Sequence, residues 1–476
     1  MKKIISVILV LSATLCLFSC TDGKGNTEVT VNGENNAITE TQIESITKKI
    51  VETIAQTVAD TQPTEKKTEI AVSEPTVVNP TAVNFQSGLC QPRAAIRGTA
   101  DLAFSLLKNT LDTPNAVVSP VSVAIALTMA GSGAKGETLN EFTKLLGSDM
   151  PGMQDFVEAY VNEVNSNSES GIKLTNSVWF NAQKGRLNIN PHFENLCKTR
   201  FAADIFKEEF SNATADRINE WIRTETDGQI DKVLEEVSDA AVAYLINTVL
   251  FEAEWSGVYT SRDVVPNSLF TTADGRKQSV TMLKSTEPVN DIVNFKLGKT
   301  EVVCKSYKNG YEFVAMLPNE GVSIEKALDS FSGNEFVTAV TKTNVNEKGE
   351  FLYGVHPLNV YLPKFEFECK FRLSDTLKAM GMTKAFSGRD ADFTDMATSS
   401  RGNIFINEVF HNTYIRFDEK GTKAAASTAV EMFDECASEA PQDTRTLKFD
   451  RPFIYVIVSP DGVPLFAGTV TDFDAK

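Results

Sequence analysis

Ten residues near the C-terminal end, Glu419-Lys420-Gly421-Thr422-Lys423-Ala424-Ala425-Ala426-Ser427-Thr428, limit what this chain can fold into more than any other stretch. Even positions continue as Thr422, Ala424, Ala426, Thr428, Val430 and Met432, and odd positions include Lys423, Ser427 and Glu431. Small or apolar alternating with polar is the period of a half-buried strand. Yet Ala and Gly are poor strand formers. Such residues can thread into a sheet without displacing bulky neighbours. Two readings stand here: a flexible small-residue linker, which composition alone favours, and a loop that can become a strand.

The other signals mostly exclude. The chain has 476 residues, 42% hydrophobic and 23% charged, enough for one large globular domain or two ordinary ones. A net charge of −17 argues against nucleic acid, whose phosphates need a basic surface. Only 3 histidines are present, in unrelated contexts at His192, His356 and His411, so neither a multi-histidine metal site nor a His-dependent relay is expected. No Gly-x-Ser-x-Gly, His-Glu-x-x-His or phosphate-loop motif occurs. After Cys20 the cysteines Cys90, Cys197, Cys304, Cys369 and Cys436 are odd in number and irregularly spaced, so no disulfide or zinc framework is indicated. No metal and no cofactor is expected.

Residues 1–20 read as a targeting segment: Lys2-Lys3, an apolar run from Ile4 to Phe18, then Ser19-Cys20. This resembles a bacterial lipoprotein signal, with cleavage before Cys20 and lipidation of that cysteine; a plain secretory signal with an incidental cysteine is the other reading. Residues 21–90 are rich in Thr, Glu and Pro and read as a flexible tether. Within it Ile43, Ile46, Ile50, Ile54 and Val58 recur at helical spacing and predict a short helix. From residue 91 to 476 strands and helices are both plentiful without regular βαβ alternation, which predicts an α+β domain. Its predicted elements include an all-round apolar helix over Val121–Ala130, a strand over Ile172–Phe180, a helix over Ala215–Thr226 closed by Gly228, and a strand-like run over Ile404–Phe410 before the Glu419–Thr428 stretch.

Several separated motifs then resemble one family. They are Asn115 to Glu137 with Ser119-Pro120 and Ser122, Leu174 to Phe180, Ile218 to Ile222 with Gly228-Gln229-Ile230, Leu245 to Phe251 followed by Trp255, Leu362-Pro363-Lys364-Phe365, Leu377 to Met382, Ala391-Asp392-Phe393 and Asp450-Arg451-Pro452-Phe453. Together with the hinge stretch they are similar to the serpin family over roughly Ala95 to Asp472. The resemblance implies a fold of three β-sheets with about eight or nine helices and an exposed reactive-centre loop. It implies a suicide-substrate inhibitor of serine or papain-like cysteine endopeptidases and no enzyme; the alternative is a non-inhibitory serpin-like binding protein. It further implies a hinge of Glu419, Gly421, Thr422, Ala424, Ala425, Ala426, Ser427 and Thr428. Ser119, Ser122, Asn247 and His411 would form a polar cluster under the opening sheet, Trp255 would sit at the top, and Glu419 would pair with Lys284.

Counting from the hinge glutamate places the scissile bond at Glu435–Cys436; counting back from Asp450–Phe453 places it near Pro441. Glu435 suits a protease that cuts after acidic residues, Phe433 a papain-like enzyme, and Val430 or Met432 an elastase-like one. The expected protein is a monomer in the bacterial cell envelope, periplasmic or at the cell surface, touching the membrane through its lipid alone.

Overall fold

The structure, a computed structural model, describes residues 28–31, 34–37, 93–230, 232–238, 241–287, 292–342, 358–422 and 445–475. The chain separates into two units, Met1–Ala82 and Val83–Lys476. In the first, β1 (Glu28–Val31) and β2 (Glu34–Ala37) pair antiparallel. This lies inside the stretch read as tether, where strands of four residues are too short to give a periodic signal. The helix expected around Ile43–Val58 falls outside the described residues.

The second unit is α+β, with nine helices among the described residues. They are α1 (Arg93–Lys108), α2 (Pro120–Gly131), α3 (Gly136–Leu146), α4 (Met150–Ser166), α5 (Pro191–Arg200), α6 (Asn212–Glu225), α7 (Ile324–Leu328), α8 (Gly333–Lys342) and α9 (Ser374–Ala379). The strands that matter here are β3 (Val117–Val118), β4 (Ile172–Asn181), β5 (Leu187–Ile189), β6 (Ala203–Glu208), β7 (Ala243–Phe251), β8 (Ala253–Glu254), β9 (Val264–Thr271), β10 (Lys277–Glu287), β11 (Ile292–Leu297), β12 (Thr300–Ser306), β13 (Glu312–Pro318), β14 (Leu358–Pro363), β15 (Phe365–Arg372), β16 (Ala397–Ser399), β17 (Phe410–Phe417), β18 (Gly421–Thr422), β19 (Arg445–Lys448), β20 (Phe453–Val458) and β21 (Pro464–Val470).

The core stands on a six-stranded sheet, β11-β12-β13-β20-β21-β3. Every residue of β20 and β21 is buried, as their unbroken apolar runs require. A four-stranded sheet, β19-β14-β10-β9, carries the chain where it is again described at Arg445. The remaining large sheet is divided. One part is β6-β4-β7 and the other β15-β17, the latter continuing through β18 to β8. Among the described residues no pairing joins β7 to β17.

Both faces of the β6-β4-β7 part are covered. Val178 and Phe180 belong to the main core, whereas Trp179 between them belongs to a second apolar cluster with Ile218 and Ile222 of α6 and Leu234 beyond it. That is the period of two expected of a strand packed on both faces. Asn219 of α6 accepts from the amides of Val233 (2.9 Å) and Leu234 (3.0 Å) and donates to the Leu234 carbonyl (2.7 Å), binding helix and following segment together. The buried helix α2 starts on Ser119, whose hydroxyl accepts from the Ser122 amide, with Pro120 in the first turn where a missing N–H costs nothing.

The strand-like run Ile404–Phe410 is corrected: the strand is Phe410–Phe417. The earlier residues are spent elsewhere. The Glu408 carboxylate receives the Ser374 amide at 3.2 Å, and the Leu373 amide donates to the Val409 carbonyl at 2.8 Å, both at the start of α9.

Helices α1 and α3 meet at Gly98, where an added Cβ would lie 1.9 Å from the Leu146 carbonyl oxygen. Gly98→Ala is expected to cost about 1–3 kcal/mol through overpacking. Urea unfolding checks this, and an unchanged midpoint would contradict the packing.

Candidate functional site

The candidate site is the turn that leaves β17. Its backbone is held from three sides. The Asp418 carboxylate accepts from the amides of Lys420 (2.9 Å) and Gly421 (3.4 Å) and from Arg416 Nε (2.9 Å) and Nη2 (2.6 Å). The carbonyls of Asp418, Glu419 and Lys420 are taken in turn by Trp255 Nε1 (2.9 Å), the Tyr259 amide (3.1 Å) and the Trp255 amide (2.9 Å). Three consecutive acceptors are thus satisfied by one five-residue segment, as buried backbone demands.

Beyond the turn, Thr422 pairs with Phe417 on one side and Ala253 on the other, and Gly421 pairs with Glu254. The first two residues after the turn therefore already occupy a strand position between β17 and β8. Thr422 is buried, and its hydroxyl lies 2.5 Å from the Tyr307 hydroxyl. Trp255, fully buried, stacks on Tyr307 at 4.2 Å and lies 5.1 Å from Phe417, so the hinge rests on an aromatic floor. Gly421 is needed for space rather than for bending. Its φ is not positive, but an added Cβ would sit 1.9 Å from the Ala253 carbonyl oxygen.

Glu419 pairs with Lys364, Nζ to Oε1 2.7 Å, and not with Lys284. The register explains the correction. Phe365 faces Phe417, so Lys364 lies beside the turn that follows β17; Lys284 faces Tyr361 across β10 and β14, with Nζ 5.9 Å from that ring.

Under the sheet, the Ser119 hydroxyl donates to the Leu465 carbonyl at 2.7 Å, and the Ser119 amide donates to His411 Nε2 at 2.9 Å. Ser122 is buried beside them. Burial pushes the His411 pKa down to about 4, so the ring is neutral and Nε2 accepts. Asn247 on β7 donates to Asn176 Oδ1 at 2.7 Å, while its own buried Oδ1 has no hydrogen-bond partner among the described residues. Ser119, Ser122 and His411 are thus brought together. Asn247 belongs to the other part of the divided sheet, and no hydrogen bond joins it to His411 among the described residues. Ala424, Ala425, Ala426, Ser427, Thr428, Glu435, Cys436 and Cys20 fall outside the described residues.

Sequence reading missed Lys364, Asp418, Tyr307 and Tyr259. Lys364 had a signal, since it stands within Leu362-Pro363-Lys364-Phe365; the others act through a register that no local pattern reports. The thiols of Cys197, Cys304 and Cys369 are buried and free, with Cys197 pushed up to about 12 by burial, so they stay protonated.

A family model described as Serpin (serine protease inhibitor) matches residues 97–473. Iripin-5 of Ixodes ricinus is 28% identical over 385 residues, covering 77% of this chain and 92% of the relative. Thyroxine-binding globulin of Mus musculus is 26% identical over 370 residues, covering 75% and 84%. The solved structure of tengpin, a thermophilic serpin in its native state, superposes with a TM-score of 0.70 at 32% identity, covering 84% of this chain and 96% of that one.

His411 generates a pH prediction. Its folded pKa of about 4 lies below the ordinary value of 6.5, so its contribution is full above pH 6.5 and is lost as pH falls towards 4. At 1.36 kcal/mol per unit this is roughly 2 kcal/mol lost by pH 5. Urea unfolding at pH 7.5 and pH 5 should show that loss in the wild type and a smaller one in His411→Gln. Equal losses would contradict the assignment.

Proposed function

The chain belongs to the serpin family, and from that premise we propose that it is a suicide-substrate inhibitor of serine or cysteine endopeptidases. The observation that carries the reading is the seat of Gly421 and Thr422, already paired between β17 and β8, while among the described residues no pairing joins β7 to β17. A protease nucleophile attacks the scissile carbonyl in the loop and forms an acyl-enzyme. Scission frees the hinge side, which continues the strand begun at Thr422 and adds its backbone hydrogen bonds to the edges of β7 and β17.

Lengths agree with this. Cleavage at Glu435–Cys436 frees about 13 residues beyond Thr422, roughly 43 Å when extended. β7, with 9 residues, is roughly 30 Å long. The inserted strand thus runs past the length of its neighbour and draws the attached protease to the far end. Thr422, Ala424, Ala426, Thr428, Val430 and Met432 would face inward, and none is charged. The likeness to a relative named for binding thyroxine supports the rival, a non-inhibitory binding protein.

Titration with a protease that cuts the loop, read on a denaturing gel, tests the reading. A covalent complex is expected; cleaved loop with active protease left over would overturn it and favour the rival. Thr422→Arg would place a cation at a buried position at a cost of several kcal/mol. That variant should be cut as fast as the wild type yet trap at least about tenfold less protease, about 1.4 kcal/mol in partition. We also propose that Cys20 carries a lipid and residues 21–90 tether the inhibitor to the cell envelope. Metabolic labelling with a fatty acid should mark the wild type and not Cys20→Ala; label on both would refute this.

A further inference from the structure

Lys305 stands where a strand interior ordinarily carries an apolar side chain. Its neighbours on β12, Val302, Val303 and Cys304, are buried, and its register partners are Ile292 and Phe313. Yet Lys305 itself is only 3% exposed. A buried ammonium is costly unless its charge is compensated. Here Nζ donates to the Gly257 carbonyl at 3.1 Å and lies 4.6 Å from the centroid of Tyr259 and 5.4 Å from that of Trp255. Both distances are within the range of cation–π attraction.

Those contacts all converge on one segment. Trp255 and Tyr259 supply the three donors that hold the carbonyls of Asp418, Glu419 and Lys420, and Gly257 lies midway between them. Two residues further along the chain from Lys305, Tyr307 stacks on the same Trp255 and meets the Thr422 hydroxyl. The near half of the segment is fixed by backbone, through the Ser256 amide to the Ser306 carbonyl at 3.1 Å. The half from Gly257 to Tyr259 is fixed by Lys305 and by the Ser285 hydroxyl on Tyr259 at 3.1 Å.

We propose that Lys305 is a positioning residue for loop insertion: its ammonium clamps the Trp255–Tyr259 segment and so keeps the hinge seated on the first rung of the new strand. The inference rests on the inhibitory reading above. With the clamp gone the hinge sits less firmly, insertion starts later, and more acyl-enzyme escapes by hydrolysis before the protease is carried away.

The test uses the full chain with Lys305→Met, close in volume and apolar like its neighbours, and Lys305→Arg, which keeps the cation. Two measurements are made. The first is the moles of inhibitor consumed per mole of protease trapped, which should rise at least threefold in Lys305→Met with the rate of loop cleavage unchanged, and stay within twofold in Lys305→Arg. The second needs no protease: a synthetic peptide with the sequence Thr422–Glu435 is annealed and followed by native gel. It competes with the chain's own hinge for the same rung, so it should enter Lys305→Met at least threefold faster than wild type. A merely structural lysine would lower thermal stability and leave both quantities unmoved. If the wild type traps no protease, the inhibitory reading fails, and faster annealing alone still upholds the role of Lys305. Unchanged annealing in Lys305→Met overturns it. Should that variant not fold, Lys305→Gln, which keeps a donor toward Gly257 without the charge, serves in its place, and wild-type annealing there overturns the proposal equally.

Discussion

Everything distinctive in this molecule depends on a large sheet in two parts, with no pairing between β7 and β17 among the described residues. At one end a short piece of chain, Gly421–Thr422, stands between β17 and β8. Open edges are ordinarily a hazard, because any extended segment can add to them. In the proposed mechanism the added segment is the chain's own loop. The small residues after Thr422 meet the steric demand of such an insertion, since each inward side chain must fit against a layer that is already packed.

The start of the strand is fixed by polar geometry and its floor by aromatic packing. Asp418 closes the turn from within, the Trp255–Tyr259 segment satisfies three successive carbonyls from outside, and Glu419 is anchored to Lys364. Beneath, Trp255, Tyr307, Phe313 and Phe417 make a contiguous aromatic layer continuous with Phe365 and Tyr455 of the main core. Hinge position is therefore coupled to the core by direct contact. At the other end of β17, neutral His411 accepts from the start of α2, linking this part of the sheet to the helix beneath it.

Much of this was legible in the sequence wherever a pattern is local. The apolar helix α2, the strands β20 and β21 around Pro460-Asp461-Gly462, and the serpin fold itself could be read from runs and motifs. Features set by tertiary register were not. β17 hid because its buried face carries His411 and Thr413 beside Ile415 and Phe417, so its hydropathy does not alternate although its burial does. Helix α4 drew no prediction, although Met153, Phe156, Val157, Tyr160 and Val164 make a regular buried stripe. The resemblance implied Lys284 as the partner of Glu419, and nothing short of the β15–β17 pairing says that Lys364 stands beside the turn. At Gly421 two backbones approach closely, a contact that no local pattern reports.

The central claim is that the cleaved loop inserts as a strand between β7 and β17. Amide hydrogen exchange before and after loop cleavage tests it most directly. The account predicts that Ala243–Phe251 and Phe410–Phe417 gain strong protection on cleavage, while β20 and β21, buried throughout, change little. Unchanged exchange along β7 and β17 after complete cleavage would contradict it.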